Sequence, residues 1–191
     1  EFLKYMNNVI TNHFLKANSP EEMLDLVDEN DVVIGTVKRE IANKDPQLIH
    51  REVAVLLFDA DKNVVIQKRS KYKSIHPNMW SILAGHIPAG ANPEETAYIE
   101  LKEEFALTGI PLYFLAKEFV TYPHESHFMY YFYGTYSGEE IDFDESEVCE
   151  VKVVSELELS QMIESGEPFN IKHLPILQKI WSGEYKVTFV I

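Results

Sequence analysis

The chain has 191 residues, of which 46% are hydrophobic and 25% are charged, and this is typical of one compact globular domain rather than a disordered chain. Its 17 Lys and Arg residues against 31 Asp and Glu residues leave a formal net charge of −14, which disfavours binding to nucleic acid and to anionic membrane surfaces. The single cysteine, Cys149, excludes an intrachain disulfide. Because the chain also lacks a signal-peptide pattern and any apolar run of the ~20 residues that span a bilayer, we expect a cytoplasmic protein.

The first predicted element is an N-terminal helical arm at residues 1–22. Apolar residues recur there at helical spacing until Ser19-Pro20-Glu21 breaks the pattern. These apolar residues are Phe2, Met6, Ile10, Phe14 and Leu15. Such an arm either packs on its own domain or forms the contact of a homodimer, and the sequence leaves both open. We assign residues 23–191 to a single domain.

Strand-like segments separated by polar turns follow the arm and predict two hairpins. A short strand and a helix come next, and the C-terminal half then reads as three strands followed by two helices. The predicted strands cover 23–27, 32–37, 52–58, 64–69, 80–83, 113–120, 128–136 and 147–154, and the late helices cover 155–163 and 174–181. This order predicts an α/β protein with helices packed around a mixed sheet.

The central helix has clear start signals and is predicted to run from residue 93 to about Leu107. Asn92 is a favourable N-cap, Pro93 suits the first helical position, and Glu95 completes the spacing of a capping box. Thr108-Gly109 follows as the expected stop, since glycine commonly ends a helix in the left-handed conformation.

Three acids share one face of this helix. At about 100° per residue, Glu100, Glu103 and Glu104 form a single stripe. Like charges at these spacings repel by roughly 0.2–0.5 kcal/mol per pair, and no Lys or Arg lies three or four residues away to relieve them. The spacing alone leaves two explanations open: a fully solvated face, or a site for a hard cation such as Mg²⁺ or Mn²⁺.

The residues around the stripe form a longer motif, Gly-x₅-Ala-x₇-Ile-Glu-Leu-Lys-Glu-Glu-Phe-Ala-Leu. It resembles the Nudix box, Gly-x₅-Glu-x₇-Arg-Glu-U-x-Glu-Glu-x-Gly-U, in which U is a bulky aliphatic residue. The matching residues are Gly85, Glu100, Leu101, Glu103, Glu104 and Leu107. The box is degenerate, because Ala91, Ile99 and Ala106 replace the consensus Glu, Arg and Gly. In the family the consensus Glu and Arg usually form a salt bridge between loop and helix. Ala91 and Ile99 remove both partners, so no charge is left unpaired, but the loop is held less firmly to the helix.

Resemblance to the Nudix hydrolase superfamily implies the Nudix fold, an α/β/α sandwich around a mixed β-sheet. It also implies a Mg²⁺- or Mn²⁺-dependent hydrolase that cleaves a diphosphate linkage in a small molecule, such as a nucleoside diphosphate derivative. In that mechanism Glu103 and Glu104 hold the metal, and Glu100 serves as a further ligand or as general base. Glu100 and Glu103 are thus the expected catalytic residues. Glu147, on a later strand, matches a position that often carries a further metal-binding acid.

A wider resemblance covers segments 48–52, 65–70, 77–80 and 85–86, which are similar to the Nudix branch that contains isopentenyl-diphosphate isomerases. It implies that Arg69 and Lys73 contact the substrate diphosphate, which is sensible because both carry cationic hydrogen-bond donors.

The same resemblance argues against isomerase chemistry. The isomerase's catalytic Cys and Glu correspond to Ala84 and His127, so the two groups that would move protons are absent. His50 and His86 match metal-site positions of the isomerases, but the companion histidine corresponds to Asn43, so the sequence does not support a full histidine metal site.

Three functions remain open at this point. The leading hypothesis is a divalent-metal-dependent diphosphate hydrolase. The substitutions at Ala91, Ile99 and Ala106 motivate a second, a nucleotide-binding module on a decayed catalytic scaffold. The third is an isomerase-like enzyme with altered chemistry.

Overall fold

The computed structural model describes residues 21–73 and 75–188. The predicted N-terminal arm at residues 1–22 lies outside this range except for its last two residues, so its helical character and its role in a homodimer stay predictions. Among the described residues, no helix is both long and apolar enough to cross a membrane.

The elements follow the predicted order. They are β1 (Met23–Val27), β2 (Val33–Lys38), α1 (Arg39–Ala42), β3 (His50–Phe58), β4 (Val64–Arg69), β5 (Trp80–Ser81), β6 (Leu83–His86), α2 (Pro93–Phe105), β7 (Tyr113–Thr121), β8 (Ser126–Thr135), β9 (Val148–Val154), α3 (Glu156–Glu164), a 3₁₀ turn (Ile171–His173) and α4 (Leu174–Trp181). The strand predicted at 80–83 is divided into β5 and β6, and the sequence reasoning missed the short helix α1 and the 3₁₀ turn.

The large sheet is mixed and has the order β5-β4-β3-β8-β7, with β6 paired to β3 and β9 paired to β4. β3 runs parallel to β8 over its whole length, from His50 opposite His127 to Phe58 opposite Thr135. β3 and β4 are registered at Phe58 opposite Val64, and β6 pairs with the earlier part of β3. The sheet therefore has two branches, one of β4, β5 and β9 and one of β3, β6, β7 and β8.

Helices cover both faces of this sheet, which confirms the predicted α/β/α sandwich. Successive side chains of a strand point to opposite faces. Val53, Val55 and Leu57 of β3 accordingly pack in one core cluster with α2, which contributes Ala97, Leu101 and Phe105. The alternate residues Ala54, Leu56 and Phe58 pack in a second cluster with Leu159 of α3 and Ile176, Leu177 and Ile180 of α4. All of these core side chains are buried.

The start of α2 is as predicted, but its end is not. The Asn92 side chain accepts hydrogen bonds from the backbone N–H groups of Glu94 and Glu95 at 2.8 and 3.3 Å. The helix ends at Phe105 instead of near Leu107, because Ala106 adopts a left-handed conformation with φ 54° and ψ 19°. This is the position at which the Nudix consensus has glycine, the residue that adopts this conformation without a Cβ penalty. The sequence prediction failed because alanine carries no signal for a left-handed cap.

Ala106→Gly is therefore expected to stabilise the protein by about 1 kcal/mol, since it relieves the left-handed strain of a residue with a Cβ. Urea unfolding at equilibrium measures the change. Ala97→Gly, inside the same helix, is the control of opposite sign, because glycine lowers helix stability there and removes a buried methyl group. A lower free energy of unfolding for Ala106→Gly would contradict the assignment of strain.

Candidate functional site

One cavity of about 500 Å³ receives residues from both branches of the sheet, from α2 and from the 3₁₀ turn. Every residue that the sequence singled out for metal, substrate or catalysis lines it: Arg69, Lys73, Glu100, Glu103, Glu104 and Glu147. The fold thus brings together groups from β4, the loop after it, α2 and the loop before β9.

Gly85 explains why the motif begins with glycine. This residue of β6 lies directly against the side chain of Glu100 on α2. A Cβ on Gly85 would lie 2.6 Å from one carboxylate oxygen of Glu100 and closer still to the other. Real Cβ atoms do not approach oxygen so closely, so a larger residue at position 85 would require the flexible end of the Glu100 side chain to move.

The acidic stripe is only partly solvated: Glu104 is buried and Glu100 half-buried, whereas Glu103 is exposed. Glu104 is 5% exposed, and its carboxylate accepts a hydrogen bond of 2.5 Å from the amide of Gln67 on β4. Burial, together with the neighbouring charges of Glu104 and Glu103, raises the pKa of Glu100 to about 8. Burial also raises the pKa of Glu104, against the opposing effects of Lys73 and Gln67. Ionising Glu100 and Glu104 together therefore costs free energy, and a cation bound beside them would offset that cost.

Two cationic side chains lie beside these acids. Lys73, which is buried, forms an ion pair with Glu147. Arg69 lines the cavity and donates from Nε to the Ile75 carbonyl at 3.2 Å. Burial lowers the pKa of the Arg69 guanidinium, while Glu104 and Glu147 raise it. The cavity therefore offers positive charge next to a carboxylate cluster, as a metal–diphosphate complex requires.

The four acids fit a hard divalent cation by chemistry, although the side chains of Glu104 and Glu147 already have partners. All are oxygen donors, which Mg²⁺ and Mn²⁺ prefer. Within the described residues, no three of them bring one oxygen each within 4.8 Å of the others. Gln67 holds Glu104 and Lys73 holds Glu147. Ligation by several of these acids consequently requires side-chain rotation.

A second group of candidate ligands, which the sequence analysis set aside, surrounds Glu52. Ligand atoms of His50, Glu52 and His86 lie within 4.8 Å of one another, and so do those of Glu52, Glu125 and His127. Strand register creates this cluster, because His50 of β3 faces His127 of β8 and Glu52 of β3 faces His86 of β6. The sequence signal was the pair of period-two motifs His50-x-Glu52 and Glu125-x-His127.

Three histidines thus lie close together, a proximity that the sequence did not reveal, whereas the full histidine metal site of the isomerases stays untested. Asn43, which replaces the companion histidine of the isomerases, lies with Oδ1 3.0 Å from His86 Nε2. His127 provides another imidazole nearby, with Nε2 3.7 Å from a Glu52 oxygen. Burial lowers the pKa of both His86 and His127, which favours the neutral imidazole that metals bind. This set of nitrogen and oxygen donors suits a transition metal better than Mg²⁺.

Comparison with known proteins agrees with this architecture. A family model described as NUDIX domain matches residues 48–177. The Isopentenyl-diphosphate Delta-isomerase of Streptomyces griseus is 37% identical over 87 residues, which cover 45% of this chain and 44% of that relative, so less than half of the relative's length is matched. The Uncharacterized Nudix hydrolase lin0387 of Listeria innocua is 32% identical over 149 residues, covering 76% of this chain and 87% of the relative. The crystal structure of DR0079 from Deinococcus radiodurans shares the fold, with a TM-score of 0.72 at 23% identity over 83% of this chain and 98% of that chain.

Proposed function

This chain belongs to the Nudix family, and from that premise we propose that it is a hydrolase that uses Mg²⁺ or Mn²⁺ to cleave a diphosphate linkage in a small molecule, such as a nucleoside diphosphate derivative. The observation that carries the proposal is a single cavity in which buried carboxylates of α2 adjoin Arg69 and Lys73. Acids alone would suit a cation, and bases alone would suit an anion. Their juxtaposition suits a cation and an anion bound together.

The acids have distinct roles in this proposal. Glu103 and Glu104 would hold the cation, and Glu147, which pairs with Lys73, would be a further ligand. A bound Mg²⁺ polarises a phosphoryl group and makes water more acidic. Glu100 would be a further ligand or the general base. Its pKa of about 8 lies near neutral pH, where a general base accepts and releases a proton most effectively.

The cationic residues position the substrate. Arg69 presents a planar set of donors that matches phosphate oxygens, whereas Lys73 presents a compact charge on a flexible chain. Lys73 forms an ion pair with Glu147, a proposed metal ligand, so its ammonium group lies between that ligand and the proposed diphosphate site. A substrate phosphate that paired with the Lys73 ammonium group would leave the Glu147 carboxylate free to bind a cation.

A non-catalytic nucleotide-binding module is the second candidate, and one observation favours it. Ile99 stands in place of the consensus arginine, and its apolar side chain cannot form an ion pair between helix and loop. It is 51% exposed. Tight binding of diphosphates without turnover would support this candidate. The isomerase alternative is weaker, because Ala84 lines the cavity at the position of the isomerase's thiol and carries no group that transfers a proton.

A metal-supplemented screen of diphosphate compounds tests the proposal. Each compound is incubated with protein and Mg²⁺ or Mn²⁺, and the monoesters formed are converted to inorganic phosphate by a phosphatase that spares diphosphates. We expect phosphate release that disappears with EDTA and returns with Mg²⁺. Isopentenyl diphosphate is included with a chromatographic assay for its dimethylallyl isomer. Absence of metal-dependent hydrolysis across the panel, or formation of that isomer, would contradict the proposed hydrolase.

A further inference from the structure

The β1–β2 hairpin forms a two-stranded sheet of its own beside the large sheet. It has a separate small core, in which Leu24, Val37 and Ala42 are buried. Leu24 pairs with Val37 of β2 on one side and forms a bridge to Pro88 on the other. Pro88 belongs to residues 87–92, which connect β6 to α2 within the Nudix motif and which we call the motif loop. The hydrolytic mechanism above uses neither the hairpin nor this loop.

The backbone of the motif loop is bonded to both sheets. The Ile87 N–H donates to the carbonyl of Arg51 on β3 at 3.0 Å. Two residues later, the Ala89 N–H donates to the carbonyl of Met23 on β1 at 2.8 Å. Gly90 follows with φ 75°, a left-handed conformation that glycine adopts without a Cβ penalty. The loop therefore contacts two different strands before the chain turns towards α2.

Asp25 of β1 joins the motif loop to β3 through its side chain. Its Oδ1 accepts a hydrogen bond from the Gly90 N–H at 3.1 Å, and its Oδ2 accepts one from Arg51 Nη1 at 3.4 Å. Arg51 is fixed in turn by Asp31, whose carboxylate and carbonyl oxygens accept from Nε and Nη2 at 2.6 Å each. The Asp25 residue is only 7% exposed. Hydrogen bonds to a carboxylate are roughly twice as strong as those between neutral groups, so one buried side chain ties the loop to both the hairpin and the large sheet.

This link lies where the motif has lost its own. Ala91, which directly follows Gly90, and Ile99 on α2 replace the two residues that form the salt bridge between loop and helix in the family. Asp25 binds the loop one residue before Ala91 and anchors it to β3 instead of to α2. The loop of this chain is thus held from outside the motif.

We propose that Asp25 is a positioning residue that takes over the role of the lost salt bridge, so that the β1–β2 hairpin holds the motif loop and, through it, the start of α2. Metal ligands bind well only when the groups around them hold them in place. The motif loop joins Gly85, which lies against Glu100, to the helix that carries all three acids of the stripe. The consequence for the metal site rests on the proposed function, whereas the consequence for the loop does not.

Hydrogen exchange of the motif loop, measured by mass spectrometry in EDTA, tests the link without metal or substrate. Asp25→Ala should speed exchange of the Gly90 amide at least about tenfold, because that amide loses a charged acceptor. Asp25→Asn keeps an oxygen acceptor without the charge. A smaller rise in the same direction is expected for it, so the link stays testable if Asp25→Ala does not fold.

Asp59→Ala is the matched control. The Asp59 carboxylate also accepts from backbone N–H groups, those of Asp61 and Asn63 at 2.9 Å each, but it does so in the turn between β3 and β4. Exchange of the motif loop should equal that of the wild type in this variant. Unchanged loop exchange in both Asp25 variants, or an equal rise in Asp59→Ala, would overturn the proposal.

Restoring the consensus pair tests whether Asp25 replaces the salt bridge. In the wild-type background, Asp25→Ala should weaken Mn²⁺ binding about three- to tenfold, measured by the electron spin resonance of free Mn²⁺. In the background of Ala91→Glu with Ile99→Arg, the same substitution should weaken it less than about twofold and should speed loop exchange less. Such non-additivity is the mark of two devices that serve one purpose, and a general loss of stability does not produce it.

The outcomes separate this proposal from the hydrolase. Equal effects of Asp25→Ala on loop exchange in the two backgrounds would overturn the replacement of the salt bridge and leave the hydrolase proposal intact. Faster loop exchange that the consensus pair suppresses, in a wild-type protein that neither binds Mn²⁺ nor hydrolyses diphosphates, would support the link and contradict the hydrolase alone.

Discussion

Glu104→Gln is expected to lower kcat by about 10³-fold and, at the same time, to stabilise the protein in the absence of metal. The activity falls because a metal ligand is lost, and metal-ion catalysis contributes several kcal/mol to transition-state stabilisation, where about 1.4 kcal/mol equals a factor of ten. The stability rises because a neutral amide replaces a carboxylate that lies buried beside Glu100 and has a raised pKa. Steady-state kinetics in saturating Mg²⁺ and urea unfolding in EDTA measure the two effects.

Glu103→Gln should lose activity to a similar degree without the gain in stability, since Glu103 is exposed. Glu94→Gln is the matched control: it makes the same change on an exposed position of the same helix outside the cavity. Its kinetics should equal those of the wild type. Full turnover in both Glu103→Gln and Glu104→Gln would rule out the assigned metal site.

The stability of the metal-free protein is expected to fall as the pH rises from about 4.5 to about 8. The folded-state pKa of Glu100 is about 8 against a reference value of 4.5, so the folded protein binds more protons than the unfolded chain within this window. Stability must therefore decrease with pH there and level off above it. We expect a loss of at most about 5 kcal/mol, measured as the free energy of unfolding in EDTA.

Magnesium should reverse this trend, because it binds the ionised carboxylates and stabilises the folded state more strongly at high pH. Buried His173 has a pKa of about 3 against a reference value of 6.5. Its titration therefore makes the folded state more stable as the pH rises between these two values. The informative quantity is therefore the difference between the wild type and Glu100→Gln, which lacks the titrating group. If the two proteins show the same pH dependence in EDTA, Glu100 does not have the electrostatic environment described above.

Sequence patterns predicted strands and helix starts correctly where neighbouring residues determine them. The strand β3 and the N-cap of α2 at Asn92 appear in the structure as expected. The end of α2 was mispredicted, because the left-handed turn falls on Ala106 whereas the glycine signal lies at Gly109. The packing of Phe105 and Leu107 into the core beneath the helix accompanies this earlier turn, and such packing is not a property of neighbouring residues alone.

The amino-acid sequence alone determined that three acids would share one helix face and that glycine would precede them at the start of the motif, since helical geometry and the identity of the motif do not depend on distant residues. It could not decide whether those acids were solvated. That depended on β6 packing against α2, which buries Glu100 on Gly85 and raises its pKa.

Only the tertiary structure assembled the cluster around Glu52. His50, His86 and His127 are far apart in the chain, and they meet because β3 pairs with β6 on one side and with β8 on the other. Strand register across a sheet is set by long-range packing, and a shift of one residue would turn every one of these side chains to the opposite face.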